Sequence, residues 1–167
     1  HAPAAGCMLA MASDYRIMAS PTSSSSSVDN DERRGGGVGT IGLNETLFGI
    51  AAPPWLGQLM IRTIGFRKAE EALALGKLFS PEEALHLGLV DKIVPNDLVL
   101  DRCQDTAAYW AKIPAQARVA SKMLARKEYI DDLILKRELD NQHFCAFIQN
   151  DAVQAGLGAY LDSLRNK

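Results

Sequence analysis

At 167 residues, with 47% hydrophobic and 23% charged side chains, the chain has the size and composition of one globular domain or the larger part of one, enough to enclose a sizeable core. Its net charge of −2 gives no footprint for nucleic acid or an anionic membrane surface, and no apolar run approaches the roughly 18 residues that span a bilayer, so a small molecule is the expected partner. Cys7, Cys103 and Cys145 are odd in number, far apart and without a C-x-x-C pair, which argues against a disulfide framework or a zinc site and reads as core thiols.

The first segment, His1 to Ala12, starts in small residues and passes into an apolar run. Small residues let a backbone come close to a ligand, and amides at a helix start point outward with partial positive charge. Such a turn can hold a developing oxyanion; close packing is the competing reading. Asp14 ends the helical pattern, and Tyr15-Arg16-Ile17-Met18-Ala19 alternates like a short strand. Ser20 to Gly39, with serines from Ser23 to Ser27 and glycines from Gly35 to Gly37, has too little apolar surface to offset its ordering entropy and is expected to be a flexible surface loop. No phosphate-cradling glycine frame occurs in it.

Ile41-Gly42-Leu43-Asn44-Glu45-Thr46-Leu47-Phe48-Gly49-Ile50 follows. Carboxylates are almost never fully buried unless paired or working. Glu45 in this apolar run is therefore either a solvated residue at a strand end or an acid–base group.

Pro53 and Pro54 then give a rigid entry to a helix with apolar residues at Trp55, Leu59, Ile61 and Ile64, stopped at Gly65. Trp55 reads as core or as the wall of a pocket. A second helix runs from Lys68 to Gly76. Ser80-Pro81-Glu82-Glu83 is a capping box with proline at the first helical position, and Gly88 closes that helix. Leu89 to Pro95 reads as extended. From Asp97 the chain is helical nearly to its end, with breaks expected at Pro114 and at Asn150-Asp151. Leu133, Ile134, Phe144, Phe147 and Ile148 give amphipathic faces with an expected interface role. This divides the chain into a partial core over 1–95, with the loop 20–39 inside it, and a helical region over 96–167.

The run from Leu75-Gly76-Lys77-Leu78-Phe79-Ser80-Pro81 to Gly88-Leu89-Val90-Asp91-Lys92-Ile93-Val94 resembles the L-G-x-x-x-S/P-x-E-A-x-x-x-G-L-V-D-x-V-V stretch of the crotonase (enoyl-CoA hydratase/isomerase) superfamily. The Ala-Gly-Cys opening followed by Ser13-Asp14-Tyr15-Arg16-Ile17 resembles the segment that supplies an oxyanion-hole amide there. Thr40 to Thr46, Gly49 to Leu56 and Lys136 to Phe144 are similar to the isomerase branch. The resemblance covers the chain except for the serine/glycine loop.

What it implies is an α/β fold: the C-terminal part of a crotonase-like spiral of ββα repeats, followed by a helical trimerisation region, and hence a homotrimer. The implied activity is an isomerase that converts cis or trans 3-enoyl-CoA to trans-2-enoyl-CoA in the β-oxidation of unsaturated fatty acids, in the mitochondrial matrix. The substrate brings its own coenzyme A, and no cofactor or metal is expected besides it. Glu45 matches the family's catalytic base, the backbone amide of Ala5 falls at an oxyanion donor, and Asn44 falls at a substrate contact. Burial among Leu43, Leu47, Phe48 and Ile50 is expected to favour proton uptake by the base. Hydratases carry a second Glu where Met8 stands, so one carboxylate and a double-bond shift are favoured over hydration. Lys122 reads as a solvated lysine or a contact for CoA phosphates. The family's other oxyanion amide and much of its CoA surface lie upstream of the stretch where this sequence begins, and the family has only a short turn where Ser20 to Gly39 stands. A hydratase-like enzyme and a non-catalytic scaffold therefore stay open beside the isomerase.

Overall fold

Two short pairs of parallel strands join distant parts of the chain in a computed structural model that describes residues 1–20 and 39–165. Strand β1 (Ala2–Pro3) leads into helix α1 (Ala5–Ala12), which is followed by β2 (Ile17–Ala19). Later in the chain, β3 (Ile41–Gly42) pairs with β1, and β4 (Lys92–Val94) pairs with β2. Parallel pairing sends partner strands the same way, so the residues that follow β1 and those that follow β3 emerge at one end. Apart from its end residues, the expected loop from Ser20 to Gly39 lies outside the described residues.

On its other side β3 is bridged to Phe79, with reciprocal backbone hydrogen bonds of 3.1 and 2.8 Å between Ile41 and Phe79. This approach leaves no room at Gly42, where a Cβ would lie 2.3 Å from the carbonyl oxygen of Lys77. The β2–β4 pair is fastened by Arg16, whose Nε donates to Asp91 Oδ2 at 2.8 Å and Nη2 to Oδ1 at 3.0 Å. Such a two-pronged guanidinium–carboxylate contact fixes orientation as well as distance.

Helices α2 (Pro54–Ile64), α3 (Phe66–Leu75) and α4 (Pro81–His86) form where proline entries and glycine stops place them. The capping box is present: Glu83 N donates to Ser80 Oγ at 3.2 Å, and Ser80 N to Glu83 Oε2 at 2.9 Å. In α2 the buried stripe is Leu56, Met60 and Ile64. Trp55, Leu59 and Ile61, expected to share one face with Ile64, are half-buried at its edge. Helices α5 (Val99–Ala111), α6 (Ala115–Ile148) and α7 (Asp151–Arg165) follow, with breaks at Pro114 and before Asp151 as expected. Among the described residues no helix is long and apolar enough to cross a membrane.

The core cluster runs from Cys7 to Val90 and packs α1, β3, α2, α3 and α4 together. Of the three cysteines only Cys7 is a core thiol; Cys103 and Cys145 are exposed, because α5 and α6 turn those positions away from any partner element.

Candidate active site

The end of the β1–β3 pair is where the sequence-predicted site residues meet. Ala4 N donates to the carbonyl of Gly42 at 2.8 Å, which ties the start of α1 to the end of β3. The first helical hydrogen bond of α1 runs from Met8 N to Ala4 O at 3.0 Å. The amides of Ala5, Gly6 and Cys7 therefore have no carbonyl partner within the helix and carry its partial positive charge. Ala4 adopts φ 48 and ψ −114, the one non-glycine residue with positive φ among those described. An L residue is strained there, and the bond to Gly42 holds it.

On the neighbouring strand, Leu43 is buried and Asn44 is 9% exposed. Glu45 opens a 3-10 turn, Glu45–Phe48, closed by Gly49 in the left-handed region. The expected strand end thus becomes a tight turn, since the glycine lets the chain reverse at once. Asn44 occupies the cap of that turn yet makes no side-chain cap hydrogen bond. Its Oδ1 and Glu45 Oε2 are both closed off from solvent and have no hydrogen-bond partner among the described residues. Two adjacent unsatisfied acceptors are costly in a folded protein, about 1–3 kcal/mol for each neutral group and more for a charged one, and such groups call for an explanation in each case.

The apolar envelope around Glu45 is thinner than the sequence suggests. Leu43 lies in the core, but Leu47 is 54% exposed, and Phe48 and Ile50 are half-buried. Leu47 lies over Gly76, whose added Cβ would stand 2.8 Å from Leu47 Cγ. Phe48 packs on Tyr160 of α7 with ring centroids 4.2 Å apart. Beneath the site is Cys7, fully buried. Burial pushes its thiol up to about 12, with the charge of Glu45 adding to the push and Arg16 opposing it. Cys7 is therefore a neutral neighbour of the carboxylate at physiological pH. Met8 is half-buried against the core.

Lys122 lies elsewhere. Its Nζ is 2.6 Å from Asp14 Oδ1, and Arg126 Nη1 is 3.3 Å from the same oxygen. The hydrogen bond from Lys122 is the leading cause that holds the Asp14 carboxyl below its ordinary range. Asp14 follows the C-terminal end of α1, while Ala5 begins it. Trp55 and Tyr129 line a groove of about 700 Å³ between α1, α2 and α6, together with Asp14 and Arg126. Among the described residues no group of three or more His, Cys, Asp or Glu could hold a metal ion.

The strain at Ala4, the hydrogen bond of the Thr46 hydroxyl and the Cys7–Glu45 proximity are not among the features expected from the sequence. The first has no sequence signal, since alanine is not a residue that marks positive φ. The last follows only once the β1–β3 register is known.

The sequence pattern of the enoyl-CoA hydratase/isomerase family matches residues 1–167. Enoyl-CoA delta isomerase 1, mitochondrial, of Rattus norvegicus is 46% identical over 165 residues, 99% of this chain and 52% of the relative. The protein of the same name from Homo sapiens is 41% identical over 165 residues, 99% of this chain and 50% of the relative. The crystal structure of human mitochondrial delta3-delta2-enoyl-CoA isomerase superposes with a TM-score of 0.84 at 41% identity, covering 99% of this chain and 58% of that one. The chain spans about half the length of the curated relatives it matches.

Proposed function

The chain belongs to the enoyl-CoA hydratase/isomerase family, and from that premise we propose that it carries the acid–base part of an enoyl-CoA delta isomerase. The reaction moves the double bond of a cis or trans 3-enoyl-CoA between C3 and C4 to between C2 and C3. Glu45 takes a proton from C2, next to the thioester carbonyl. The C2 electron pair then shifts into a dienolate whose charge rests on the thioester oxygen, and the protonated Glu45 returns a proton at C4. The amide of Ala5, at the positive end of α1, donates to that oxygen, and Asn44 Oδ1 accepts from the substrate. The only cofactor group involved is the coenzyme A that the substrate brings.

The observation that carries this reading is that the helix-start amides of α1 and the turn with Asn44 and Glu45 follow the same end of a parallel strand pair, while Asn44 Oδ1 and Glu45 Oε2 have no hydrogen-bond partner among the described residues. Met8 in place of a second carboxylate favours a double-bond shift over hydration, which needs a group to position water. The names of the rat, mouse and human relatives support a mitochondrial location. Apolar residues displayed by α6, with Leu124 90% and Leu135 82% exposed, support burial of this helix against further copies; the homotrimer itself rests on the family resemblance and is testable by sedimentation.

The test uses the chain as it stands and the chain joined to the front half of its rat relative. Each is incubated with a 3-enoyl-CoA, and the conjugated 2-enoyl thioester is followed. Glu45→Gln in the joined protein is expected to lower conversion about 10²- to 10⁴-fold, the usual contribution of a positioned acid–base group. Conversion that survives this substitution sinks the proposal; release of a 3-hydroxyacyl thioester would point to hydration instead.

A further inference from the structure

Among the described residues Glu45 Oε2 has no hydrogen-bond partner, and the place of the carboxylate depends on the turn that carries it. Backbone hydrogen bonds inside the segment give the turn its shape, among them Leu47 N to Asn44 O, Gly49 N to Thr46 O and Ile50 N to Glu45 O, each 3.1 Å. None of them ties the turn to its surroundings. Phe48 packs on Tyr160 and Leu47 lies over Gly76, and the Thr46 hydroxyl adds a directional tie by donating to the carbonyl of Leu73 at 2.6 Å.

Leu73 lies in the last turn of α3, where carbonyls lose their helical donors. The helix closes with the amides of Gly76 and Lys77 both directed at Ala72 O, which leaves Leu73 O to the threonine. Gly76 lets the turn come this close, since a Cβ there would lie 3.2 Å from Leu47 N. The contact therefore serves an open helix end and locates the turn at once.

We propose that Thr46 is a positioning residue: its hydrogen bond to the end of α3 fixes the turn from which Glu45 reaches C2 and C4 of the substrate. The inference rests on the reading of Glu45 as the base. One carboxylate serving two carbons must keep its place through both proton transfers, and a misplacement of about 1 Å costs on the order of 10²-fold in rate. A solvent-exposed hydrogen bond contributes far less than that to stability, so its loss should register in turnover before it registers in unfolding.

The experiment compares Thr46→Val, which keeps the shape and removes the hydroxyl, with Thr46→Ser, which restores it, in the protein joined to the front half of the rat relative. Thr46→Val is expected to lower kcat tenfold or more, with KM within about twofold of the parent and the melting temperature nearly unchanged. Hydrogen exchange in a peptide spanning residues 44–50 should become faster. Thr46→Ser should return both readouts toward the parent. Unchanged kcat and exchange in Thr46→Val overturn the inference, as does a loss that Thr46→Ser fails to rescue or one matched by a collapse of the melting temperature. Glu45→Gln separates the two readings: if it keeps conversion, the base assignment falls and this inference with it. If it loses conversion while Thr46→Val does not, this inference alone falls. If the joined protein converts nothing, unchanged exchange in Thr46→Val still overturns the pinning and faster exchange still supports it.

Discussion

The residues up to Val94 and the helices after Pro95 solve different problems. In the first region small elements close on one another: the core cluster lies entirely between Cys7 and Val90, and Gly42 and Gly76 sit where no side chain fits. In the second, 34 residues of α6 extend over about 51 Å at the usual rise. Beyond Val94, Val153 is the one buried hydrophobic residue among those described. A two-stranded edge with backbone on backbone has one way to pack, whereas a long helix with outward leucines has little to lose in an isolated copy. Sensitivity to substitution should follow that division, and the proposed site lies wholly on the sensitive side.

The sharpest way to break the comparison is Gly42→Ala. The new methyl would meet the carbonyl of Lys77 at 2.3 Å and Leu78 Cα at 3.2 Å. Both are backbone, so relief requires parting β3 from the Phe79 bridge. A loss above about 3 kcal/mol is expected, the upper range for overpacking, read as a fall in the urea midpoint. Next come paired truncations. Leu43→Ala removes a side chain that is 1% exposed and should cost about 3 kcal/mol. Leu135→Ala, at 82% exposure, should stay within about 0.5 kcal/mol at dilution. A Leu135→Ala cost that grows with protein concentration would show that assembly covers this face.

How much of this could be read in advance depends on what kind of signal each feature leaves. The capping box, the glycine stops and the Pro114 break are local and were legible residue by residue. The crotonase-like architecture was legible through the Leu75 to Val94 run, a long pattern whose glycine, proline and capping positions the fold uses. The buried stripe of α2 was misread by one position, because Leu56 and Met60 lie beside Trp55 and Leu59 and hydrophobicity alone does not rank them. The resemblance put the Ala5 amide and Glu45 in one site, but the residues by themselves did not show the strain at Ala4 or the nearness of Cys7 to Glu45, which arise from parallel pairing across nearly forty residues of sequence. Nor did they show the exposure of Cys103 and Cys145, which depends on how α5 and α6 are turned.

A smaller effect tests the local signals within the first region. Ser80→Ala should cost about 1 kcal/mol by removing the N-cap of α4. The Ser80 backbone amide bonded to Glu83 is the largest cause holding that carboxyl below its ordinary value of 4.5, with Lys77 assisting. Because the folded pKa is lowered, the contribution of Glu83 is fully present above the unfolded value and is lost as pH falls through the folded one. The cost of Glu83→Gln should accordingly shrink as urea titrations are moved from pH 7 to below pH 4.

The smallest effect has the opposite sign and comes from the second region. Gly158 lies inside α7 with ordinary helical φ, and nothing stands within 4 Å of where its Cβ would be. An alanine there gives up less backbone entropy on folding and meets no neighbour, so Gly158→Ala should stabilise by about 0.8 kcal/mol. Gly156 is the internal control, since its Cβ would reach Phe48 O at an ordinary 3.5 Å, on the turn that carries Glu45. If Gly158→Ala raises the urea midpoint at unchanged slope, this face of α7 is open in solution. A loss of stability would mean that another surface is packed against it, and the tolerance assigned to the helical region would then have to be withdrawn for α7.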